Sequence, residues 1–296
     1  MPKPLRSSIR WILKGYYTAR LRAGLLDTSP PWSVGYAVYK RHLLSHALLD
    51  QDLLDRFYNG DPLPAGYGTG IDERCVEYPW VVAQLRDSGR LVLDAGSALN
   101  HDILVTHSIL HQKTIHILTL APEKDCFWHK GISYLFADLR DIPVRTEYYD
   151  TVVSISTLEH IGFDNSRYLK KAGHCEHRPE DLAKAMHELN RVLKPGGSLL
   201  FTVPFGVYQD WRSFQQFDRQ LLSRAITEFD GCVQVKEAFY RYSRGGWNVA
   251  SFEDCAKCEY VDWIMKNHQE QASQFPRQPD GAVAARAVAC MRLEKK

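Results

Sequence analysis

The segment Arg90-Leu-Val-Leu-Asp-Ala-Gly-Ser-Ala-Leu-Asn100 gives the strongest indication of the fold. Its apolar run at residues 91–93 is typical of a strand that is buried on both faces. Residues 99–112, which follow the small residues of this stretch, are compatible with a helix. The order of strand, tight turn and helix predicts the first β-α unit of a nucleotide-binding sheet.

The turn inside this stretch has the residues that a ligand-binding turn needs. Gly96 and Ala98 would let the backbone approach a ligand closely, and the Asp94 carboxylate could accept hydrogen bonds from ammonium or hydroxyl donors. A dinucleotide-binding turn has glycine at three positions, whereas Ala98 and Asn100 stand at two of them here. Taken alone, the turn is therefore also compatible with an ordinary connection between a strand and a helix.

Composition favours a globular protein with a sizeable core. The chain has 296 residues, 45% of them hydrophobic, and its 37 basic and 35 acidic side chains give a net charge of +2. This balance does not require nucleic acid or an anionic membrane as a partner. The sequence contains no apolar run of the roughly 18 residues that a membrane span needs and no apolar core of a signal peptide, so we expect a cytoplasmic protein with its seven cysteines as thiols.

The region before this segment is predicted to be helical. Residues 5–26 place apolar side chains at helical spacing with basic residues between them, which indicates an amphipathic basic helix. Such a helix either packs its apolar stripe on the domain or binds a membrane surface or a partner. We expect a second helix at about residues 38–58, a loop at 59–70 and a further helix from about residue 72, interrupted near Pro79.

After residue 90 the pattern alternates between short apolar runs and helical stretches, which predicts a parallel, doubly wound sheet. The clearest helix spans residues 181–193, where Pro195-Gly-Gly197 stops it. The predicted strands are residues 91–93, 115–120, 132–136, 151–156 and 198–203, followed by two β-rich runs at 233–242 and 282–293.

Four motifs occur in an order that resembles one family, the class I S-adenosylmethionine-dependent methyltransferases, and in particular its small-molecule members. They cover about residues 90–205. The motifs are Val-Leu-Asp-Ala-Gly-Ser-Ala (92–98), Phe-Ala-Asp-Leu-Arg-Asp-Ile-Pro (136–143), Tyr-Asp-Thr-Val-Val-Ser-Ile-Ser-Thr-Leu-Glu-His (149–160) and Leu-Asn-Arg-Val-Leu-Lys-Pro-Gly-Gly-Ser-Leu-Leu-Phe (189–201).

The resemblance implies an α/β, Rossmann-like, doubly wound and mainly parallel seven-stranded sheet over residues 72–296. An N-terminal helical extension over residues 1–71 would cover the site as a lid. The implied cofactor is S-adenosylmethionine, which in this fold lies over the carboxyl ends of the strands. The positions that match the family's cofactor motifs are Asp94, Gly96, Ala98, Thr119, Leu120, Asp138, Leu139, Ser156 and Thr157.

The resemblance also implies roles for these positions. Asp94 and Gly96 would contact the methionine part, and Asp138 would accept a hydrogen bond from the adenine amino group. Ser156 and Thr157 would line the floor near the sulfonium. Asp138 could instead be an ordinary surface or helix-capping carboxylate.

The end of the second strand departs from the family pattern. Family members usually have an acid there that holds both ribose hydroxyls, whereas this chain has Thr119, a poorer bidentate acceptor. Ribose recognition would then fall to backbone groups, to Thr119 or to Glu123.

His160 is the candidate general base, with Glu159 beside it, because methyl transfer to a hydroxyl requires removal of a proton. An imidazole just past the fourth strand has a suitable pKa for that step. The alternative is that His160 only packs against or caps the turn. The candidate substrate-binding residues flank the core motifs and could form a lid over the strand ends, or could be plain core: Tyr67, Arg74, Glu77, Tyr78, Phe205, Tyr208, Trp211 and Phe214.

Metal binding is not expected. Cys255-Ala-Lys-Cys258 has no second cysteine pair at a suitable spacing, and His174-Cys-Glu-His177 has no distant pair of ligands.

We therefore expect an enzyme that methylates an oxygen or nitrogen of a small molecule, such as a glycosyl or natural-product acceptor. We expect no nucleic-acid partner, while the basic N-terminal helix leaves peripheral membrane contact open. The alternatives are an enzyme of the same fold that uses S-adenosylmethionine differently, a non-catalytic binding or scaffold protein, and a nicotinamide-dependent oxidoreductase, which the missing glycines disfavour.

Overall fold

A computed structural model describes residues 3–23, 29–169, 176–261 and 278–296. The α-helices of this part of the chain are α1 (Lys3–Arg22), α2 (Val34–Leu49), α3 (Gln51–Asn59), α4 (Arg74–Gln84), α5 (Asp102–Val105), α6 (Ser108–His111), α7 (Ser166–Leu169), α8 (Leu182–Val192), α9 (Arg219–Glu228) and α10 (Phe252–Cys255). The strands are β1 (Leu91–Ala95), β2 (Thr114–Thr119), β3 (Ser133–Phe136), β4 (Tyr149–Ile155), β5 (Leu193–Pro204), β6 (Gln209–Asp210), β7 (Gln215–Gln216), β8 (Cys232–Ser243), β9 (Gly246–Val249) and β10 (Ala287–Lys295).

The main sheet has the strand order β3-β2-β1-β4-β5-β10-β8-β9. Strands β1 to β5 pair in parallel, and β10 is antiparallel to both β5 and β8. The order reverses between β1 and β4, which is where ligands bind in open α/β sheets. The predicted doubly wound, mainly parallel sheet is confirmed.

The sheet has eight strands rather than the expected seven. The additional strand, β9, forms an antiparallel hairpin with the end of β8, where Ser243 pairs with Gly246. Gly245, in the two-residue loop Arg244-Gly245 of this hairpin, is a turn signal that was not used in the prediction.

The single helix predicted over residues 38–58 is two helices. Asp50 ends α2, and its carboxylate accepts a hydrogen bond from the Leu53 backbone N–H at 3.1 Å, which caps the start of α3. The helix predicted over residues 99–112 is likewise divided into α5 and α6. There the ring of His107 accepts a hydrogen bond from the Ile109 N–H and its Nε2 lies 2.8 Å from the Leu48 carbonyl.

Helix α4 continues through Pro79, where an interruption was predicted. Proline has no N–H to donate to the carbonyl four residues earlier, which here belongs to Cys75. The Tyr67 hydroxyl donates to that carbonyl at 2.5 Å instead. A side chain from the preceding loop thus satisfies the acceptor that Pro79 leaves without its helical partner, and the helix is maintained.

Two apolar clusters cover the two faces of the sheet, because adjacent strand residues such as Val92 and Leu93 point to opposite sides. One cluster contains residues of α2, α3 and α4, and the other contains residues of α8 and α9. Helices α2 and α3 therefore pack into the same core as the sheet, while a domain boundary at residue 72 stays a prediction. In the described ranges no helix is both long enough and apolar enough to span a membrane.

Candidate active site

A cavity of about 330 Å³ lies at the carboxyl ends of β1 to β4. Among the described residues before Arg74, none lines it, so the expected lid by residues 1–71 is not found in the part that is described. The lining residues are Arg74, Tyr78, Gly96, Ser97, Ala98, His101, Leu118, Thr119, Leu120, Ala121, Pro122, Glu123, Ala137, Asp138, Leu139, Arg140, Ile155, Ser156, Thr157, His160, Ile161, Gly162, Asn165 and Tyr168.

The turn after β1 is held by hydrogen bonds on its buried side, and its other side borders the cavity. The Asp94 carboxylate accepts hydrogen bonds from the N–H groups of Ala98 (3.2 Å) and Leu99 (2.8 Å), and it is fully buried outside the lining. Burial raises the pKa of Asp94 to about 7. Its contribution is to shape the turn.

Gly96 lies where a side chain has no space. Its φ is +122°, and a Cβ at this position would lie 2.1 Å from the Thr157 hydroxyl oxygen. The next residue, Ser97, has a left-handed φ of +64°, and its hydroxyl oxygen is buried without a hydrogen-bond partner among the described residues. Backbone strain and an unpartnered polar atom beside a cavity are features of ligand-binding sites.

The end of β2 places a carboxylate beside the neutral hydroxyl of Thr119. The Thr119 Oγ1 lies 3.4 Å from Oε1 of Glu123, and both residues line the cavity. The acid that the second strand lacks at its end is thus present four residues later.

At the end of β3, Asp138 is held by Arg140 in a bidentate pair, with Nε to Oδ1 at 3.0 Å and Nη2 to Oδ2 at 2.7 Å. The same guanidinium donates through Nη1 to Glu176 (2.5 Å) and Asp181 (2.7 Å). The pKa of Asp138 lies below its ordinary value because Arg140 outweighs the opposing effect of burial. Asp138 is therefore an ionised carboxylate of fixed orientation.

Behind the end of β4, the fully buried Glu77 ties the strand ends to α4. Its Oε1 accepts hydrogen bonds from the hydroxyls of Ser156 and Thr202, both at 2.6 Å, and its Oε2 pairs with Arg74. Ser156 has a left-handed φ of +40°, so this network holds a strained residue in the cavity wall. Glu77, predicted to bind substrate, instead positions Ser156 and Arg74.

His160 follows β4 and lines the cavity, and its hydrogen bond defines the tautomer of its ring. Its Nδ1 lies 2.7 Å from the Ser213 carbonyl oxygen. Because a carbonyl oxygen only accepts, Nδ1 has the proton and Nε2 keeps its lone pair. Burial lowers the pKa of His160 to about 4, so the ring is neutral near pH 7.

Glu159 does not share this position. It is buried outside the cavity lining, and burial raises its pKa well above the ordinary range. A carboxyl group buried outside the lining cannot contact a ligand in the cavity, so the predicted catalytic role of Glu159 is not supported by the geometry.

Five aromatic residues predicted to bind substrate lie outside the cavity lining: Tyr67, Phe205, Tyr208, Trp211 and Phe214. Tyr67 satisfies the Cys75 carbonyl as described above, and Phe205 is fully buried against Phe239 and Phe252. Trp211 stacks on Phe214, and the 44% exposed Tyr208 lies outside the lining. Of the predicted substrate-binding residues, only Arg74 and Tyr78 line the cavity.

Several lining residues were not predicted from the sequence. Ser97 and Arg140 lie within the quoted motifs and could have been found from their proximity to Gly96 and Asp138. His101 directly follows the first turn, and its ring lies 5.8 Å from that of Tyr78. Tyr168, in contrast, lies in the short helix α7, whose sequence has no comparable signal.

No metal site was expected, and the described residues contain no group of three or more metal-binding side chains. Cys255 and Cys258 are buried free thiols. In the motif at residues 174–177, His174 and Cys175 lie outside the described residues, and His177 pairs with Asp210.

Comparison with known proteins gives a matching family and several relatives. Residues 105–201 match the family model of a methyltransferase domain. A curated relative, the tRNA (carboxymethyluridine(34)-5-O)-methyltransferase of Arabidopsis thaliana, is 30% identical over 159 residues, which is 51% of this chain and 31% of the relative. The chain therefore spans about a third of the length of that relative.

Two solved structures have a similar fold. The 1,6-didemethyltoxoflavin-N1-methyltransferase of Burkholderia thailandensis, bound to 1,6-didemethyltoxoflavin and S-adenosylhomocysteine, is 11% identical with a TM-score of 0.44, covering 84% of this chain and 88% of the other. The N-methyltransferase NodS of Bradyrhizobium japonicum, in complex with S-adenosylhomocysteine, is 13% identical with a TM-score of 0.39, covering 86% and 97%.

The matched domain contains β2, β3 and β4, whose carboxyl ends form most of the cavity. The parallel sheet, its reversal of strand order beside the cavity and this match agree with one another. Residues 105–201 therefore form a methyltransferase domain, as the resemblance to the class I S-adenosylmethionine-dependent methyltransferases implies.

Proposed function

We propose that this protein transfers a methyl group from S-adenosylmethionine to an oxygen or nitrogen of a small molecule. The observation that supports this most strongly is that one cavity joins two sets of residues. The donor end consists of lining residues 96–98, 118–123 and 137–140, and the acceptor end consists of Arg74, Tyr78, His160 and Tyr168.

The turn at the donor end suits the methionine part of the cofactor. Gly96 has no side chain to obstruct the approach of a ligand, and the unpartnered Ser97 hydroxyl can bond to a polar group. Asp94 keeps the N–H groups of Ala98 and Leu99 in place from behind. When bound, the cofactor would supply an electrophilic methyl group on its sulfonium.

Glu123 is the residue that we propose for ribose recognition. A carboxylate can accept from two hydroxyls at once, and the adjacent Thr119 hydroxyl adds a third polar group. Glu123 and Thr119 together would bind the ribose hydroxyls in place of the acid that is missing at the end of β2.

Asp138 and Leu139 are proposed to bind the adenine. Oδ1 of the ionised Asp138 accepts from both the backbone N–H and the Nε of Arg140, whereas Oδ2 accepts only from Nη2 and keeps a lone pair that can accept from an amino group. Arg140 fixes the carboxylate before a ligand arrives, which limits the entropy cost of binding.

His160 is proposed as the general base for a hydroxyl acceptor. Its Nε2 would take the hydroxyl proton while the acceptor oxygen bonds to the methyl carbon. The Ser213 carbonyl holds the ring in the required tautomer and orientation. With a pKa of about 4 the ring is available as an acceptor at neutral pH, although it is a weaker base than an ordinary histidine.

The acceptor end favours a polar organic molecule of modest size. A volume of about 330 Å³ is near the lower end of the range for small-molecule sites, about 300–1,000 Å³. Tyr78 and Tyr168 offer ring surfaces, and Arg74 offers a cation. These groups suit a glycosyl or aromatic acceptor with an acidic or hydroxyl substituent.

An RNA acceptor is the second candidate. The observation in its favour is the 30% identity with the Arabidopsis tRNA methyltransferase. Under this proposal the cavity would accept a single modified nucleotide, and the surrounding surface would bind the rest of the RNA.

Two measurements test the proposal. Calorimetry should detect binding of S-adenosylhomocysteine and no binding of NAD. Label from methyl-tritiated S-adenosylmethionine should then appear in a small-molecule extract and not in total tRNA. Label in tRNA alone would show that the acceptor is RNA and not a small molecule. Cofactor binding without any transfer would favour another reaction of the same fold, and failure to bind S-adenosylhomocysteine would contradict the proposal.

A further inference from the structure

Helix α1 presents large apolar side chains to solvent. The exposed fractions are 78% for Trp11, 62% for Ile12, 54% for Tyr16 and 38% for Leu13. Four such residues on two turns of one helix form a patch rather than isolated exposed residues. We call these four residues the α1 patch.

The patch includes a helix face that points away from the domain. Trp11, Lys14, Thr18, Leu21 and Arg22 of α1 line a groove against α2. At 100° per residue, Ile12 and Tyr16 lie on the opposite side of the helix from Lys14, Thr18 and Leu21, whereas Trp11 of the patch also borders the groove. The packing of α1 on α2 therefore leaves Ile12 and Tyr16 uncovered.

All the charged residues of α1 are basic. Its sequence, Lys-Pro-Leu-Arg-Ser-Ser-Ile-Arg-Trp-Ile-Leu-Lys-Gly-Tyr-Tyr-Thr-Ala-Arg-Leu-Arg, has six basic residues and no acidic residue. Lys14 and Arg22, which line the groove, are themselves exposed. The partner of this helix must therefore be anionic and must also accept aliphatic and aromatic side chains.

We propose that α1 binds an anionic lipid surface, with the α1 patch among the acyl chains and the basic residues at the headgroups. A cationic helix with exposed Trp, Tyr and aliphatic residues has the composition of helices that lie in the membrane interface. The proposal concerns a surface outside the cavity and holds for either candidate acceptor.

The other occupants fit this surface less well. A symmetric dimer through α1 would bring together two helices that each have six basic and no acidic residues, and their charges would repel. RNA would neutralise the cations, but Ile12 and Leu13 would have no apolar partner in a phosphate backbone. A lipid surface satisfies both the charge and the aliphatic side chains.

The test is co-sedimentation of the full chain with vesicles of phosphatidylcholine, with and without phosphatidylglycerol. We expect binding only when phosphatidylglycerol is present, and release as sodium chloride is raised, because salt screens charge contacts. Arg20→Gln should weaken the apparent binding constant about five-fold, the effect of one cation near an anionic surface, because Arg20 lies beside Tyr16 of the α1 patch.

The apolar part is tested by the double variant Ile12→Ser/Tyr16→Ser, which should reduce binding at least about ten-fold. Its matched control is Val233→Ser/Val235→Ser on β8, where two valines are 61% and 45% exposed, and this control should bind as the wild type does. Circular dichroism checks that each variant is folded.

Three results would overturn the proposal. One is failure of the wild type to bind anionic vesicles. Another is unchanged vesicle binding by a folded Ile12→Ser/Tyr16→Ser variant. The third is light scattering that shows a dimer which the same variant dissociates while vesicle binding is absent. Measurement of the wild type alone decides the first point, so the proposal remains testable even if a variant does not fold.

Discussion

The two ends of the cavity are built in different ways. The donor end comes from the turns that follow β1, β2 and β3, and each of its segments is continuous in sequence. The acceptor end combines Arg74 and Tyr78 from α4 with His160 and Tyr168 from the segments after β4. The donor end thus consists of turns at strand ends, whereas the residues of the acceptor end are distributed over 95 positions of the chain, from residue 74 to residue 168.

This difference predicts which function, cofactor binding or turnover, a substitution at each end affects. Strand ends are fixed by the sheet, so the donor end keeps its geometry as long as the sheet forms. The acceptor end depends on the buried Glu77, which joins α4 to β4 and β5 through Arg74, Ser156 and Thr202. We therefore expect changes at the donor end to affect cofactor binding, and changes at the acceptor end to affect turnover.

The largest effect is expected from Gly96→Val at the donor end. A side chain there would collide with Thr157 and occupy the space through which the ligand approaches the backbone. Loss of several hydrogen bonds should reduce S-adenosylhomocysteine affinity by more than about 100-fold, as measured by calorimetry.

Gly60→Val is the matched control for Gly96→Val. Gly60 also has a positive φ, +78°, but a Cβ there would meet no atom within 4 Å. It should lower stability by about 1–2 kcal/mol and leave the affinity unchanged. Normal S-adenosylhomocysteine binding by a folded Gly96→Val variant would contradict the donor-end assignment.

The next effect is expected from His160→Ala at the acceptor end. Loss of a general base should lower turnover about 10²–10⁴-fold, with cofactor affinity little changed. His101→Ala is the matched control, because His101 also lines the cavity and burial also lowers its pKa. Equal losses of turnover in the two variants would show that His160 has no special role.

Glu123→Gln should have a smaller effect, confined to the donor end. Removal of a charged hydrogen-bond acceptor costs about 1.5–3 kcal/mol, so S-adenosylhomocysteine affinity should fall about 10- to 100-fold. An analogue without ribose hydroxyls should bind the variant and the wild type equally well. A Glu123→Gln variant with wild-type affinity would leave ribose recognition to Thr119 and the backbone.

The smallest effect on activity is expected from Glu159→Gln, beside the proposed base. Because the folded pKa of Glu159 is raised by burial, its protonated form stabilises the fold at low pH, and the wild type loses that stability as pH rises above the ordinary value of 4.5. The variant does not ionise. It should gain stability relative to the wild type by up to about 1.4 kcal/mol per pH unit in that window.

Thermal unfolding of both proteins across pH measures this difference, and turnover should stay close to that of the wild type. A large loss of turnover in Glu159→Gln would instead place Glu159 in the catalytic machinery.

Much of the fold was accessible from sequence because buried parallel strands have a strong apolar signal. Strands β1 to β5 lie within a few residues of their predicted positions. The short β9 was missed because its signal is a two-residue turn. The breaks at Asp50 and His107 were missed because a single capping side chain can divide a helix whose apolar periodicity continues.

The site was predictable to the extent that it follows the strand ends. Gly96, Thr119, Asp138 and Ser156 line the cavity because their motifs end strands. Tyr67 and Phe205 have the residue type of a binding pocket, but tertiary packing uses them in the core. Residue type alone does not distinguish these two uses, and only the fold shows which side chains face the cavity.

The most direct test of the account is a crystal structure of the protein with S-adenosylhomocysteine. We predict the methionine part at the Gly96 turn, the ribose hydroxyls at Glu123 and Thr119, the adenine at Asp138, and the sulfur facing the acceptor end near His160. S-adenosylhomocysteine bound outside the cavity, or in it with the adenine at the acceptor end, would contradict the account.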